Sequence, residues 1–234
     1  MQHPEFLAFF DRLPKDTLWV LDIDSTLVLT HKRNEAILHR FAAEFAGTHP
    51  EFCKKLAQTE CLALEYGYGK ALERAGIAQD VATQPLAVYW RKHFFSNEFL
   101  HYDIVHGQAV EFVAALRKKN WTFVYLTGRP KPLMFEGTLR VLREFGFDVR
   151  EEDLYLKPRP EDKDELYKSA QITEFKKSFQ NILFFDNEPK VLNQVDRDHP
   201  EIPMIFMDTC HSPNVVPPAK SLRLREFRDI IPLI

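Results

Sequence analysis

Trp19-Val20-Leu21-Asp22-Ile23-Asp24-Ser25-Thr26 is a short apolar run that ends on two carboxylates, and its reading decides how the rest of the chain is interpreted. An apolar run of this length without polar alternation reads as a strand covered on both faces, the habit of parallel sheets. Similar runs recur at Trp121 to Leu126, Asp153 to Leu156, Ile182 to Phe185 and Pro203 to Met207. Between them lie segments of helical spacing. Ala109, Val110, Val113, Ala114 and Leu116 mark one helix; Leu139, Leu142 and Phe145 mark another, ended by Gly146. The alternation predicts an α/β domain with a parallel sheet, right-handed crossovers and a ligand site at the carboxyl ends of the strands.

From His31 to Tyr102 the alternation stops. Ile37, Phe41 and Phe45, then Leu56, then Leu86, Val88, Trp90 and Phe94 suggest helices separated by Gly67, Gly69, Gly76 and Pro85. These 72 residues read as a helical cap, residues 31–102, inserted after the first strand of a core built from residues 1–30 and 103–234. Such an insertion overhangs the strand ends. Pro213, Pro217 and Pro218 mark an irregular stretch before a short closing segment, Leu222 to Ile234.

Composition narrows the function classes. The chain of 234 residues is 45% apolar and 28% charged, the balance of a globular chain with material for a core. A formal charge of −3 gives no broad cationic surface, so nucleic acid is not an expected partner. No apolar stretch is long enough for a membrane-spanning helix. Met1 to Asp16 carries five charged side chains around short apolar runs, unlike a signal peptide. Cys53, Cys61 and Cys210 form no C-x-x-C pair, so reduced thiols in a cytoplasm are expected rather than disulfides or a zinc knuckle.

Three strand ends carry candidate chemistry. Asp22 and Asp24, two residues apart where a buried strand opens into a loop, cannot cheaply share that place without a cation or a proton. Facing Mg²⁺ and a phosphoryl group, Asp22 can act as nucleophile, with Asp24 as general acid and base. The plainer alternative is a pair of solvated acids with Ser25 and Thr26 capping a turn. Leu126-Thr127-Gly128-Arg129 offers a hydroxyl, exposed backbone N–H and a glycine that permits close approach, suited to a phosphate oxygen. Thr127, Gly128 and Arg129 are therefore candidate substrate-binding residues, although Arg129 serves equally well in a structural salt bridge. Phe184-Phe185-Asp186-Asn187-Glu188-Pro189 brings more acids to the same edge, with Asp186 as the candidate Mg²⁺ ligand and Asn187 and Glu188 near metal-bound water. Asp186 and Asn187 as caps of the following helix are the competing reading.

The order D-x-D-S-T, then T-G-R, then a lysine, then D-N resembles the haloacid dehalogenase superfamily of phosphohydrolases, over Leu18 to Thr30 and about Asp103 to Thr209. The resemblance implies a Rossmann-like core with helices on both faces, Mg²⁺ dependence and an aspartyl-phosphate intermediate. By position, Asp22 matches the nucleophile and metal ligand, and Asp24 the general acid/base that also gives the metal a backbone carbonyl. Thr127 matches the phosphate binder and Asp186 the second metal carboxylate. The superfamily also places a lysine ahead of the last acidic motif. Lys168, 18 residues before Asp186, leaves room for a helix of Ile172, Phe175 and Phe179 and is preferred. Lys157, at the end of the third strand, is its rival; Lys176 and Lys177 leave too little chain for a crossover helix. The sequence departs from the commonest pattern in having no second Asp one or four residues after Asp186.

The expected activity is Mg²⁺-dependent hydrolysis of a small phosphorylated metabolite, with Asp22, Asp24, Thr127 and Lys168 catalytic and Asp22, Asp24 and Asp186 holding the metal. A phosphoryl-transferring enzyme of the same superfamily, or a non-catalytic phosphate-binding module, are the alternatives. Tyr66-Gly67-Tyr68-Gly69-Lys70 lacks the frame of a phosphate loop and reads as a turn. Phe94, Phe95, Phe99 and Tyr102 read as a packed hinge.

Overall fold

The computed structural model describes residues 4–78 and 83–234. In chain order, α1 (Pro4–Phe10) leads to β1 (Leu18–Leu21) and the two-residue β2 (Val28–Leu29). Then come α2 (His31–Phe45), α3 (Pro50–Leu56), α4 (Gly69–Arg74) and α5 (Gln84–Phe94). The chain returns through β3 (Ile104–Val105) and alternates α6 (Ala109–Lys118), β4 (Thr122–Pro130), α7 (Lys131–Glu144), β5 (Leu154–Lys157), α8 (Asp164–Phe175), β6 (Ile182–Asp186), α9 (Pro189–Asp198) and β7 (Met204–Met207). A last strand, β8 (Leu222–Leu224), closes the sheet.

Six strands pair in the order β5-β4-β1-β6-β7-β8, and every pair in this sheet is parallel. The first strand is central. The chain winds outward through β4 and β5, then returns to the other side of β1 for β6, β7 and β8. The carboxyl ends of β1, β4 and β6 therefore lie side by side at the point where strand order reverses, where open α/β sheets bind ligands.

All four residues of β1 are buried because helices cover both faces of the sheet. Trp19 and Leu21 pack into the larger core cluster with Phe112 and Leu116 of α6 and Leu142 of α7. Leu18 and Val20 point the opposite way, onto Ile172 of α8 and Leu192 and Val195 of α9. Gly146, at φ +92°, ends the α7 segment in a left-handed turn that a side chain would strain, and Phe147 N–H donates back to the Leu142 carbonyl at 2.9 Å.

Among the described residues, the chain between β2 and β3 is helical and has its own apolar cluster, including Leu38 and Phe41 of α2, Leu56 of α3, Leu72 of α4 and Leu86 of α5. Residues 79–82 of the expected cap fall outside the described residues. The antiparallel ribbon of β2 with β3 joins the two points where the chain leaves and re-enters the core, with Val28 opposite Val105 and Leu29 opposite Ile104.

Three details differ from the sequence reading. Val88 is 72% exposed, because a spacing of two from Leu86 and Trp90 puts it on the outer side of α5. Pro85 and Gly69 lie within the first turns of α5 and α4 rather than between helices. The closing segment contributes β8, whose three residues are too few to show a pattern.

Candidate active site

Asp22 follows β1 and keeps the sheet's ladder, its N–H donating to the Phe185 carbonyl at 3.0 Å. Its carboxylate is thereby held beside the end of β6, where Asp186 is fully buried. Lys168 closes the group from α8. Its Nζ donates to Asp22 Oδ1 at 2.5 Å and to Asp186 Oδ2 at 2.7 Å. The remaining oxygens are also engaged: Thr26 Oγ1 donates to Asp22 Oδ2 at 2.9 Å, and Glu188 N–H donates to Asp186 Oδ1 at 2.8 Å. Lys168 shares a helix face with Ile172 and Phe175, at i+4 and i+7, so the packing that seats α8 on the sheet also aims the ammonium at the strand ends.

The charge in this group does not balance. Two carboxylates meet one ammonium, out of water. Burial, reinforced by Asp186 and Asp24, pushes the Asp22 carboxyl up to about 7 against the pull of Lys168. Burial likewise raises Asp186. For Lys168 burial disfavours the charge, but the two carboxylates outweigh it and keep the ammonium protonated well above its ordinary range. The surplus negative charge, carried on hard oxygens, fits a divalent cation such as Mg²⁺, which takes one or two carboxylates and completes its shell with water and phosphate. No group of three or more His, Cys, Asp or Glu is placed to hold a metal among the described residues, so a protein-only cage of the zinc type is not offered.

Asp24 belongs to a second cluster. Arg129 Nε donates to its Oδ2 at 2.8 Å and Nη2 to its Oδ1 at 2.8 Å, while Arg33 Nη2 donates to Oδ1 at 2.6 Å. Both arginines also bind Asp103: Arg33 through Nε at 2.7 Å and Nη2 at 2.5 Å, Arg129 through Nη2 at 2.9 Å. Burial pushes Asp24 up, but Arg129 and Arg33 outweigh it and hold the carboxyl well below the usual carboxylate range.

The T-G-R motif sits on an irregularity. Thr127 opposes Leu156 but Pro130 opposes the next residue, Lys157, so Gly128 and Arg129 form a bulge in β4. A bulge re-aims side chains. Here it accompanies Arg129 turned onto Asp24, so the salt-bridge reading of Arg129 is the one realised, with its last donor, Nη1, on Thr138 Oγ1 at 3.1 Å. Gly128 is needed for close approach, but of a side chain: a Cβ there would lie 2.3 Å from Asp164 Oδ2. Thr127 is buried, its hydroxyl accepting the Arg129 N–H at 3.3 Å, and it lines the same pocket as Asp22, Lys168 and Asp186.

The pocket, about 290 Å³, thus gathers every nominated residue: Asp22, Asp24, Thr127, Gly128, Arg129, Lys168 and Asp186. The rival lysine is elsewhere. Lys157 Nζ donates to Asp164 Oδ1 at 2.7 Å and to the Asp162 carbonyl at 3.0 Å. Asn187 and Glu188 are committed to structure: Asn187 Nδ2 donates to the Cys210 carbonyl, and Glu188 caps α9 while accepting from Ser212 N–H at 3.1 Å. The cap of α9 is Glu188 rather than Asp186 or Asn187. Ser25, directly after Asp24, has φ +59°, a strained conformation for a side-chain-bearing residue and one that functional loops tolerate.

The sequence matches the haloacid dehalogenase-like hydrolase profile over residues 18–188. The chain belongs to the haloacid dehalogenase-like hydrolases. Solved structures of this and related names share its fold. A haloacid dehalogenase-like hydrolase from Burkholderia xenovorans LB400 is 13% identical and superposes with TM-score 0.55 over 94% of this chain and 96% of its own. Protein Tyrosine Kinase A from Mycobacterium tuberculosis is 12% identical, with TM-score 0.56 over 94% and 97%. A predicted phosphoglycolate phosphatase from Haemophilus somnus 129PT is 14% identical, with TM-score 0.53 over 93% and 97%. No curated protein matches the sequence. The differing names on one haloacid dehalogenase-like fold show why activity must be argued from the site.

Sequence reasoning missed Arg33, Asp103, Asn34 and Trp90. A signal existed for the first: Arg33 sits four residues before Ile37 on the apolar stripe of α2, where an unpaired charge is not tolerated. Asp103 is 70 residues from Arg33, and nothing local announces the pair. Lys70 pairs with Glu73 at the surface, and His199 and His211 form no nucleophile pair. No helix among the described residues is long and apolar enough to cross a membrane.

Proposed function

We propose that the chain is a Mg²⁺-dependent phosphatase that hydrolyses a small phosphate monoester through an aspartyl-phosphate on Asp22. The observation that carries the reading is Lys168 Nζ bridging Asp22 and Asp186 in a buried group with one negative charge to spare. Residues 31–102 act as the cap and the remainder as the core. Asp22 and Asp186, with the Asp24 carbonyl, hold the cation. When bound, Mg²⁺ supplies charge neutralisation on the phosphoryl oxygens.

Asp22 Oδ attacks phosphorus while the phosphorus–oxygen bond to the alcohol breaks on the opposite side, the departing oxygen taking its proton from solvent water. Lys168 neutralises charge that grows on the phosphoryl oxygens, and the Thr127 hydroxyl donates to one of them. Asp24 is assigned the second step, taking a proton from the water that cleaves the acyl phosphate, and the two guanidinium groups that hold its carboxyl well below the usual range make it a weak base for that step. It is poorly placed to give a proton to the leaving alcohol while Arg33 and Arg129 hold both its oxygens. That clamp is also the observation that favours the phosphate-binding module as the second reading.

An aryl phosphate with Mg²⁺ separates the two. Phosphate release abolished by chelation and by Asp22→Asn supports the enzyme; binding without release supports the module. The substrate proposed is a soluble phosphorylated metabolite. Three buried free cysteines suit a reducing compartment, the cytoplasm.

A further inference from the structure

The cap side of the pocket differs in kind from its catalytic floor. Trp90 and Phe94, one turn apart on α5, stack with ring centres 4.6 Å apart, and Phe95 meets Phe94 edge-on at 5.1 Å. Together with Tyr66 these rings line the cavity. Asn34, only 2% exposed, fixes the group: its Oδ1 accepts the Trp90 indole N–H at 2.8 Å, which leaves its amide N–H donors on the pocket wall.

The charges on the wall are as informative as the rings. The cations lining the pocket, among the described residues, are Lys168, Arg33 and Arg129. Lys168 is held by Asp22 and Asp186, and both guanidinium groups are held by Asp24 and Asp103. None is left for a second anionic group on the substrate. The other charged lining residues, Asp164 and Glu188, are acids. A carboxylate or second phosphate on the alcohol part would be desolvated beside acids without a free cation, which is costly. The Arg33 guanidinium, paired with both acids, lies 4.5 Å from the Phe94 ring centre and so belongs to the wall rather than to the substrate.

We propose that the substrate is a phosphate monoester whose alcohol part is aromatic and carries no second anionic group, held against Trp90 and Phe94. The proposal rests on the phosphatase reading for the position of the phosphoryl group. A cavity of about 290 Å³ is at the small end of ligand sites and suits a single ring system rather than a polymer.

Binding to the Asp22→Asn chain tests this without turnover. With Mg²⁺ present, calorimetric titrations compare phenyl phosphate with glycerol 3-phosphate, 2-phosphoglycolate and 3-phosphoglycerate. Phenyl phosphate is expected to bind about tenfold or more tightly than each of the other three. Adding Trp90→Leu should weaken phenyl phosphate about tenfold while changing glycerol 3-phosphate by no more than about twofold, and Trp90→Phe should restore most of the loss. Equal or tighter binding of any of the other three esters, or a Trp90→Leu loss shared by all four, overturns the proposal. Binding of none of the four overturns it together with the phosphate site. Failure of the phosphatase reading alone shows separately: the unsubstituted chain then releases no phosphate from any ester, while the order of affinities still reports on the wall.

Discussion

Two buried ion clusters lie side by side in the pocket, and they differ in one respect. The cluster of Arg33, Arg129, Asp24 and Asp103 is balanced, two guanidinium groups against two carboxylates, with nearly every polar atom paired. The cluster of Lys168, Asp22 and Asp186 is not balanced, one ammonium against two carboxylates. A balanced cluster ties parts of the chain together: Arg33 lies in the first turn of α2, Asp103 just before β3, Asp24 in the loop after β1 and Arg129 in β4. The unbalanced one carries a surplus negative charge, which the proposed function gives to a cation. The comparison teaches that removing a cation from the first should harm the fold, whereas removing the surplus carboxylate from the second should harm only the chemistry.

The largest expected effect is on turnover. Asp22→Asn should lower kcat by on the order of 10⁴-fold or more, measured by phosphate release. The same substitution leaves Lys168 paired one-to-one with Asp186, so stability in urea should fall by no more than about 1 kcal/mol. Arg33→Met, in contrast, leaves the buried Asp103 and the half-buried Asp24 facing one guanidinium. It should cost about 3–5 kcal/mol in the same urea titration, and Asp103→Asn added to it should recover a large part. Neutral behaviour of Arg33→Met would erase the distinction between the clusters.

Acid sharpens the contrast further. The Asp22 carboxyl lies near about 7 without a cation, above its ordinary value, so below that pH a proton occupies the site and must be displaced. Mg²⁺ affinity should therefore fall as pH drops, by up to about tenfold per pH unit below 7, with proton release visible when calorimetry is repeated in buffers of different ionisation heat. The smallest effect belongs to the lysine outside both clusters. Lys157 pairs with Asp164, whose side chain is 47% exposed, so Lys157→Met should cost on the order of 1 kcal/mol or less and should affect turnover far less than Lys168→Met.

The sheet was legible because strands covered on both faces carry uninterrupted apolar runs, and the acids that end β1 and β6 mark where those strands stop. Lys168 was legible for a related reason: its spacing from Asp186 fits one crossover, and it shares the apolar face of α8 with Ile172 and Phe175. The balanced cluster was not legible. Asp24 read as a free carboxylate because its partners come from positions 9 and 105 residues away, and pairing at that range leaves no local pattern. Of the pocket's aromatic wall, Phe94 and Phe95 read from sequence as part of a packed hinge, since ring spacing along one helix does not tell which side faces a cavity. Phe99 and Tyr102 do stack on each other, at 5.9 Å, while Phe94 and Phe95 line the pocket.

The central claim is that the Asp22 carboxylate forms a bond to phosphorus. Acid-quenching the protein within a single turnover of an aryl phosphate, followed by mass spectrometry of its peptides, reads that bond directly. The account predicts one phosphoryl group on the peptide containing Asp22, absent after Asp22→Asn and absent without Mg²⁺. Phosphate released at the normal rate with that peptide unmodified throughout, or a phosphoryl group found on another residue, would contradict it.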